Sequence, residues 1–222
     1  MKIDEIIRSN RKSISLEIKP DGRLTVRAPR HATLKQIQVV VTAKEDWIRK
    51  SKIKITKRYP VQKPRSFQPG ETFWYLGEKY PLKLVNRQRP TLDLDGAFLL
   101  SQTAISDPKA VFVEWYREET RAITQEIIAR YAQHYPFKLN KVRITSARTR
   151  WGSCSGKNNI NFSYRLCMAP LSVVEYVVVH ELAHLMQHNH SQAFWNIVAK
   201  MKPDFQADKR WLKNYGYLLN LD

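Results

Sequence analysis

The chain has 222 residues, 43% of them hydrophobic and 26% charged, which is long enough to bury a core and is neither disordered nor collagen-like in composition. Lysine and arginine total 38 against 20 acidic residues, a net charge of +18; that balance points to anionic partners, and the lack of any apolar run near the ~20 residues of a bilayer span argues against a membrane protein. Two cysteines, Cys154 and Cys167, with no CxxC pair, do not make a disulfide framework and fit a reduced compartment.

The opening "MKIDEIIRSN" has no apolar segment of the signal-peptide kind, so a cytoplasmic location is expected. The charge is uneven: residues 1–65 carry net +12, residues 66–140 carry none and residues 141–222 carry +6. The densest part, "RKSKIKITKRYPVQKPR" at 49–65, holds eight basic residues and no acidic one. Such a surface attracts polyanions by counterion release, and without a base-reading motif any nucleic-acid contact would be sequence-independent. The plainer alternative is a solvated face that keeps the protein in solution.

In chain order, "SISLEIKPDGRLTVRAP" (13–29) alternates apolar and polar residues on both sides of "PDG" and predicts a β-hairpin. Residues 33–53 follow helical spacing, with Leu34, Ile37, Val40, Val41, Trp47 and Ile48 on one side. After the Pro-rich "QKPRSFQPGE", short strands are expected in "TFWYLGEKYPLKLV" and "TLDLDGAFLL", the latter around a "DG" turn. A long helix is expected over about 108–134, followed by two extended segments, "NKVRITSARTRW" and "NNINFSYRLCMAP", separated by the turn-rich "GSCSGKNN". Ser172 and Glu175 have the spacing of a capping box, so a helix should begin there; its run of valines marks it as buried. Two short helices, about 192–202 and 205–217, complete the chain.

Four of the six histidines lie in "HELAHLMQHNHSQAFW" (180–195). His180 and His184 are four apart on one helix face with Glu181 beside the first, the HExxH pattern that presents two imidazoles to one zinc and a carboxylate to its bound water. Zinc needs a third protein ligand. His188 continues the spacing, but at ~1.5 Å per residue it lies ~12 Å along the axis from His180, too far for bonds of ~2.0–2.1 Å to a single ion. The helix must end and turn back, with Asn189 suited to a left-handed C-terminal turn and Ser191 to the next N-cap. The expected ligands are therefore His180, His184 and His190, with His188 outside the set and Asp204 or Asp208 as the fallback.

"RTRWGSCSGKNNINFSYRL" followed by "VVHELAHLMQHNHSQAFW" resembles the YgjP-like metallopeptidase domain, a zincin-type family of metal-dependent hydrolases. The resemblance covers about residues 141–200. It implies a zincin-like catalytic half in which a strand precedes the metal helix, and a third ligand at the histidine of "NHS", here His190. The chain departs from the family's usual "NLNWRL" in having "NFSYRL", and it lacks the glycine that metzincins place at the position of Gln187.

These readings converge on an α+β fold, with a basic β-rich part over 1–105 and a zincin-like part over 106–222 whose HExxH helix packs on a mixed or antiparallel sheet. The expected cofactor is Zn2+, with Mn2+ or Ni2+ as substitutes. Glu181 is the expected general base, and Arg165 the first choice to meet a developing oxyanion, with Tyr164 and Arg150 as alternatives. Cys154 is either a group beside the metal or a small buried residue. The expected substrate is a polypeptide amide or, given the basic "KVRITSARTR", an anionic phosphoanhydride such as a nucleoside triphosphate; no P-loop is present.

Overall fold

The computed structural model describes residues 2–19, 22–58 and 64–222, with side chains omitted at 56–58. The chain forms two compact units, Met1–Lys63 and Pro64–Asp222. In the first, strands β1 (Glu5–Ser9), β2 (Ser15–Ile18) and β3 (Leu24–Pro29) make a sheet of order β1-β3-β2. The pair β2–β3 is the antiparallel hairpin expected from the alternation, while β1 joins β3 in parallel. The predicted turn residues Pro20 and Asp21 lie outside the described residues.

Residues 33–53 do not form one helix. Helix α1 (Leu34–Ala43) ends at Lys44, whose ψ of 15° breaks the run, and α2 (Glu45–Arg58) begins with Glu45 and Asp46 in its first turn, where acidic side chains favour the helix dipole. Thr33 and Gln36 cap α1 reciprocally. The break narrows the buried face to Ile37, Val41 and Ile48, which pack on Leu24, Val26 and Ala28, while Leu34 and Trp47 stay exposed.

The second unit contains two sheets. Strands β4 (Thr72–Tyr75), β5 (Glu78–Val85), β6 (Leu92–Leu94) and β7 (Phe98–Ser101) pair in the order β4-β5-β7-β6. The two units meet at 63/64. Phe73 and Phe98 of this sheet pack at 4.4 and 5.1 Å, ring to ring, on Phe112 of α3 (Pro108–Ala132), so residues 64–105 share one core with the long helix. Asp107 caps α3 by accepting from the Ala110 N–H, and Pro108 occupies the first helical position.

The smaller sheet, β8 (Lys141–Thr145), β9 (Gly152–Cys154) and β10 (Asn159–Ser163), runs β8-β10-β9, with β10 parallel to β8 and antiparallel to β9. The segment expected to be only a turn therefore begins with an edge strand. Helices α4 (Leu171–His184), α5 (Gln192–Met201) and α6 (Phe205–Tyr215) follow. Helix α4 starts at Leu171, one residue before Ser172, with Pro170 at the N-cap and without the predicted capping box. Glu175 instead accepts from Arg130 and Tyr131 of α3 and from Lys202, whose ammonium also lies 3.3 Å from Asp208 of α6. That charge cluster ties α4 to the helices on either side. Among the described residues no helix is long and apolar enough to cross a membrane.

Candidate metal centre

Helix α4 carries His180 and His184 one turn apart and ends at His184. His188 is thus off the helix and exposed. The turn is held by Gln187, whose Nε2 donates to Asn189 Oδ1 at 3.0 Å and to Ser191 Oγ at 3.1 Å. Asn189 acts through its side chain, also accepting from the Ser191 N–H, and not through a left-handed backbone; Ser191 sits at the N-cap of α5 without capping it. The chain is thereby returned so that His190 faces His180.

The nitrogens of His180, His184 and His190 lie within 4.8 Å of one another. His184 Nδ1 is 3.2 Å from the Gln187 carbonyl, so a proton on that nitrogen leaves the Nε2 lone pair directed at the centre. His180 Nε2 and His190 Nε2 are 3.1 Å apart, close to the roughly 3.3 Å separating two donors on one tetrahedral zinc with ~2.0–2.1 Å bonds. The donor set fits a zinc ion on chemistry and on spacing. Behind the imidazoles stands the fully buried Phe194, its ring 4.9, 4.5 and 4.8 Å from those of His180, His184 and His190. Asp204 and Asp208 are not in the cluster, and Asp208 is paired with Lys202.

Glu181 lies against β9 and lines one cavity together with His180. Its Oε2 is buried and has no hydrogen-bond partner, and burial pushes its carboxyl up to about 8 despite the opposing pull of Arg150. Gly152 makes this possible. A Cβ there would lie 2.6 Å from Glu181 Oε1 and 2.7 Å from its Cγ, so any other residue displaces the carboxylate. Gly152→Ala is expected to lower turnover about 100-fold, as a ~1 Å misplacement of a reacting group does, with zinc content unchanged; kinetics normalised to bound metal check this.

Burial, reinforced by His184 and His190, drives His180 down to about 3. In the metal-free protein these shifts oppose each other. From pH 3 to 6.5 the unfolded chain holds a proton that folded His180 refuses, so His180 makes stability rise with pH. From 4.5 to 8 folded Glu181 holds a proton that the unfolded chain has lost, so Glu181 makes stability fall with pH. Above pH 6.5 only the second acts. Denaturant unfolding in chelator is expected to show wild type losing up to about 1.4 kcal/mol per pH unit between 6.5 and 8 relative to Glu181→Gln.

Arg165 does not serve the site. The strand ends at Ser163, and Arg165 belongs to a 3-10 turn, Tyr164–Met168. Its guanidinium donates to the carbonyls of Ala147, Arg148 and Leu219 and lies 4.7 Å above the Trp151 ring, so its donors hold the 147–151 loop. Tyr164 is buried with its carbonyl accepting from Thr120. Cys154 is half-buried and its thiol is pushed up by desolvation and then by Glu181, away from thiolate chemistry. The arrangement instead adds Gly152 and Phe194, together with a cavity of about 210 Å³ lined by Trp151, Gly152, Tyr176, Val177, His180, Glu181 and Leu212. The contact of Gly152 with Glu181, 29 residues further along the chain, is not written in the sequence.

A family model described as "YgjP-like, metallopeptidase domain" matches residues 12–215 of the chain. No curated protein and no solved structure matches.

Proposed function

The chain belongs to the YgjP-like metallopeptidase family, and from that premise we propose that it is a zinc-dependent amide hydrolase acting on extended polypeptide. The observation that carries this is the pairing of a three-histidine cluster with a buried, partnerless carboxylate one residue from the first histidine.

His180, His184 and His190 would hold the ion, and Mn2+ or Ni2+ could substitute on the same nitrogens. Bound there with three protein ligands, the metal supplies a Lewis acid and a water of lowered pKa. Glu181 would take a proton from water at Oε2 and return it to the leaving amine.

The polypeptide assignment rests on β9. Ser163 N–H bonds to the Trp151 carbonyl and Ser155 N–H to the Asn159 carbonyl, so the odd-numbered residues are the ones bonded to β10. The N–H and C=O of Gly152 and Cys154 then face the open edge of the sheet. An extended chain can add there as a further strand, passing Glu181.

The test is to load the protein with zinc and incubate it with unfolded polypeptides and nucleoside triphosphates together, with Glu181→Gln as control. New peptide termini absent from the control are expected. Pyrophosphate or phosphate released in a Glu181-dependent way, without new termini, would overturn the amide reading in favour of phosphoanhydride hydrolysis.

A further inference from the structure

Strand β9 has a second cavity on its other side. It encloses about 310 Å³ and is lined by Thr145, Ala147, Arg150, Trp151, Gly152, Ser153, Asn161 and Ser163. It shares Trp151 and Gly152 with the cavity beside Glu181. The pleat explains why there are two. Ile160 and Phe162 of β10 point into the core, while Ser153, Asn161, Ser163 and Thr145 lie on the opposite face.

The two cavities differ in chemistry. The inner one has apolar walls in Trp151, Val177 and Leu212. The outer one contains no carboxylate, and its small polar groups are engaged: Ser163 Oγ donates to the Ala147 carbonyl, Thr145 Oγ1 to the Phe162 carbonyl, and Asn161 Nδ2 to Ser153 Oγ. Its one charge is Arg150, exposed and, among the described residues, in no salt bridge or hydrogen bond, its charge felt at Glu181 across the strand. Arg148, two residues earlier, is instead paired with Asp222. The loop bearing Arg150 is pinned at Ala147 and Arg148 by Arg165, so the position of its backbone is set before any ligand arrives.

A strand added to the edge of β9 sends successive side chains to opposite faces. We infer that the outer cavity is a specificity subsite for an acidic side chain, held by Arg150, next in sequence to an apolar side chain in the inner cavity. This rests on the polypeptide reading above and narrows it to substrates in which an acidic residue adjoins an apolar one near the cut. A carboxylate meeting a guanidinium that has no salt-bridge partner gains a charge-assisted hydrogen bond, and a lysine in its place meets like charge.

Two measurements separate the failure of this inference from that of its premise. In the first, termini produced from unfolded polypeptides by zinc-loaded wild type are compared with those from Arg150→Glu, with Glu181→Gln as the blank. Acidic residues should be enriched at a single position beside an apolar one, and Arg150→Glu should reduce that enrichment at least about tenfold, the worth of one hydrogen bond to a charge, and move it toward lysine and arginine. Glu181-dependent termini without acidic enrichment, or with enrichment that Arg150→Glu leaves alone, would overturn the inference while sparing the peptidase reading. Absence of any Glu181-dependent terminus would sink the peptidase reading instead.

The second measurement does not depend on turnover. Zinc-loaded Glu181→Gln protein is titrated with labelled alternating Leu-Glu and Leu-Lys peptides, read by fluorescence anisotropy. Lys50→Glu, an exposed charge reversal in the first unit, controls for the general attraction of a protein with net charge +18. Preference for the Leu-Glu peptide should fall about tenfold with Arg150→Glu and survive both Lys50→Glu and Arg150→Lys. Equal effects of Arg150→Glu and Lys50→Glu would overturn the subsite.

Discussion

His190→Ala is expected to release zinc, and His188→Ala to retain it. Both residues are exposed and two apart in a short turn, so composition and accessibility do not distinguish them. Geometry does. His190 Nε2 is 3.1 Å from His180 Nε2 and its ring is 4.7 Å from that of His184, whereas His188 is outside the cluster. Loss of even a residue that supports a ligand weakens metal affinity 10- to 100-fold, so removal of a ligand should exceed about 100-fold. Zinc affinity by competition with a chromophoric chelator decides it. A His188→Ala variant that loses zinc while His190→Ala keeps it would assign the site to the wrong arm of the turn.

Glu181→Gln should abolish turnover with the metal in place. The carboxamide is nearly isosteric, so the packing against Gly152 persists, but it cannot accept a proton from water. General acid–base catalysis contributes about 10²–10⁴-fold, and a fall of that size in turnover per bound zinc is expected. Zinc content must be measured on the same sample. A variant retaining a tenth or more of wild-type turnover would remove Glu181 from the reaction and leave its burial without a purpose.

The clustering of the three histidines was legible in the sequence because local spacing encodes it. The i, i+4 period places His180 beside His184, and the rise per residue excludes His188 from a straight helix. The means by which the turn is made was not legible, since Asn189 offers a backbone solution and a side-chain solution alike and Gln187 selects the second. The hairpin at β2–β3 followed from alternation, and α3 from the helical spacing of its apolar residues. The capping box failed because Glu175 has stronger partners in Arg130, Tyr131 and Lys202, all remote in sequence. Arg165 failed for the same reason, its three carbonyl partners coming from two distant segments. Strand β9 was missed because three residues, Gly-Ser-Cys, carry no β signature of their own and are extended only by pairing with β10. What depends on neighbours in the chain could be read; what depends on neighbours in space could not.

Phe194 gives the three histidines a common aromatic backing. Zinc-finger modules order their ligands only as the metal arrives, so emptying them unfolds them. Here the rings already rest against an aromatic wall that belongs to the hydrophobic core, and metal uptake has little conformational entropy left to oppose it. Withdrawal of the metal by a chelator is therefore expected to leave the fold standing, where it would unfold a zinc finger.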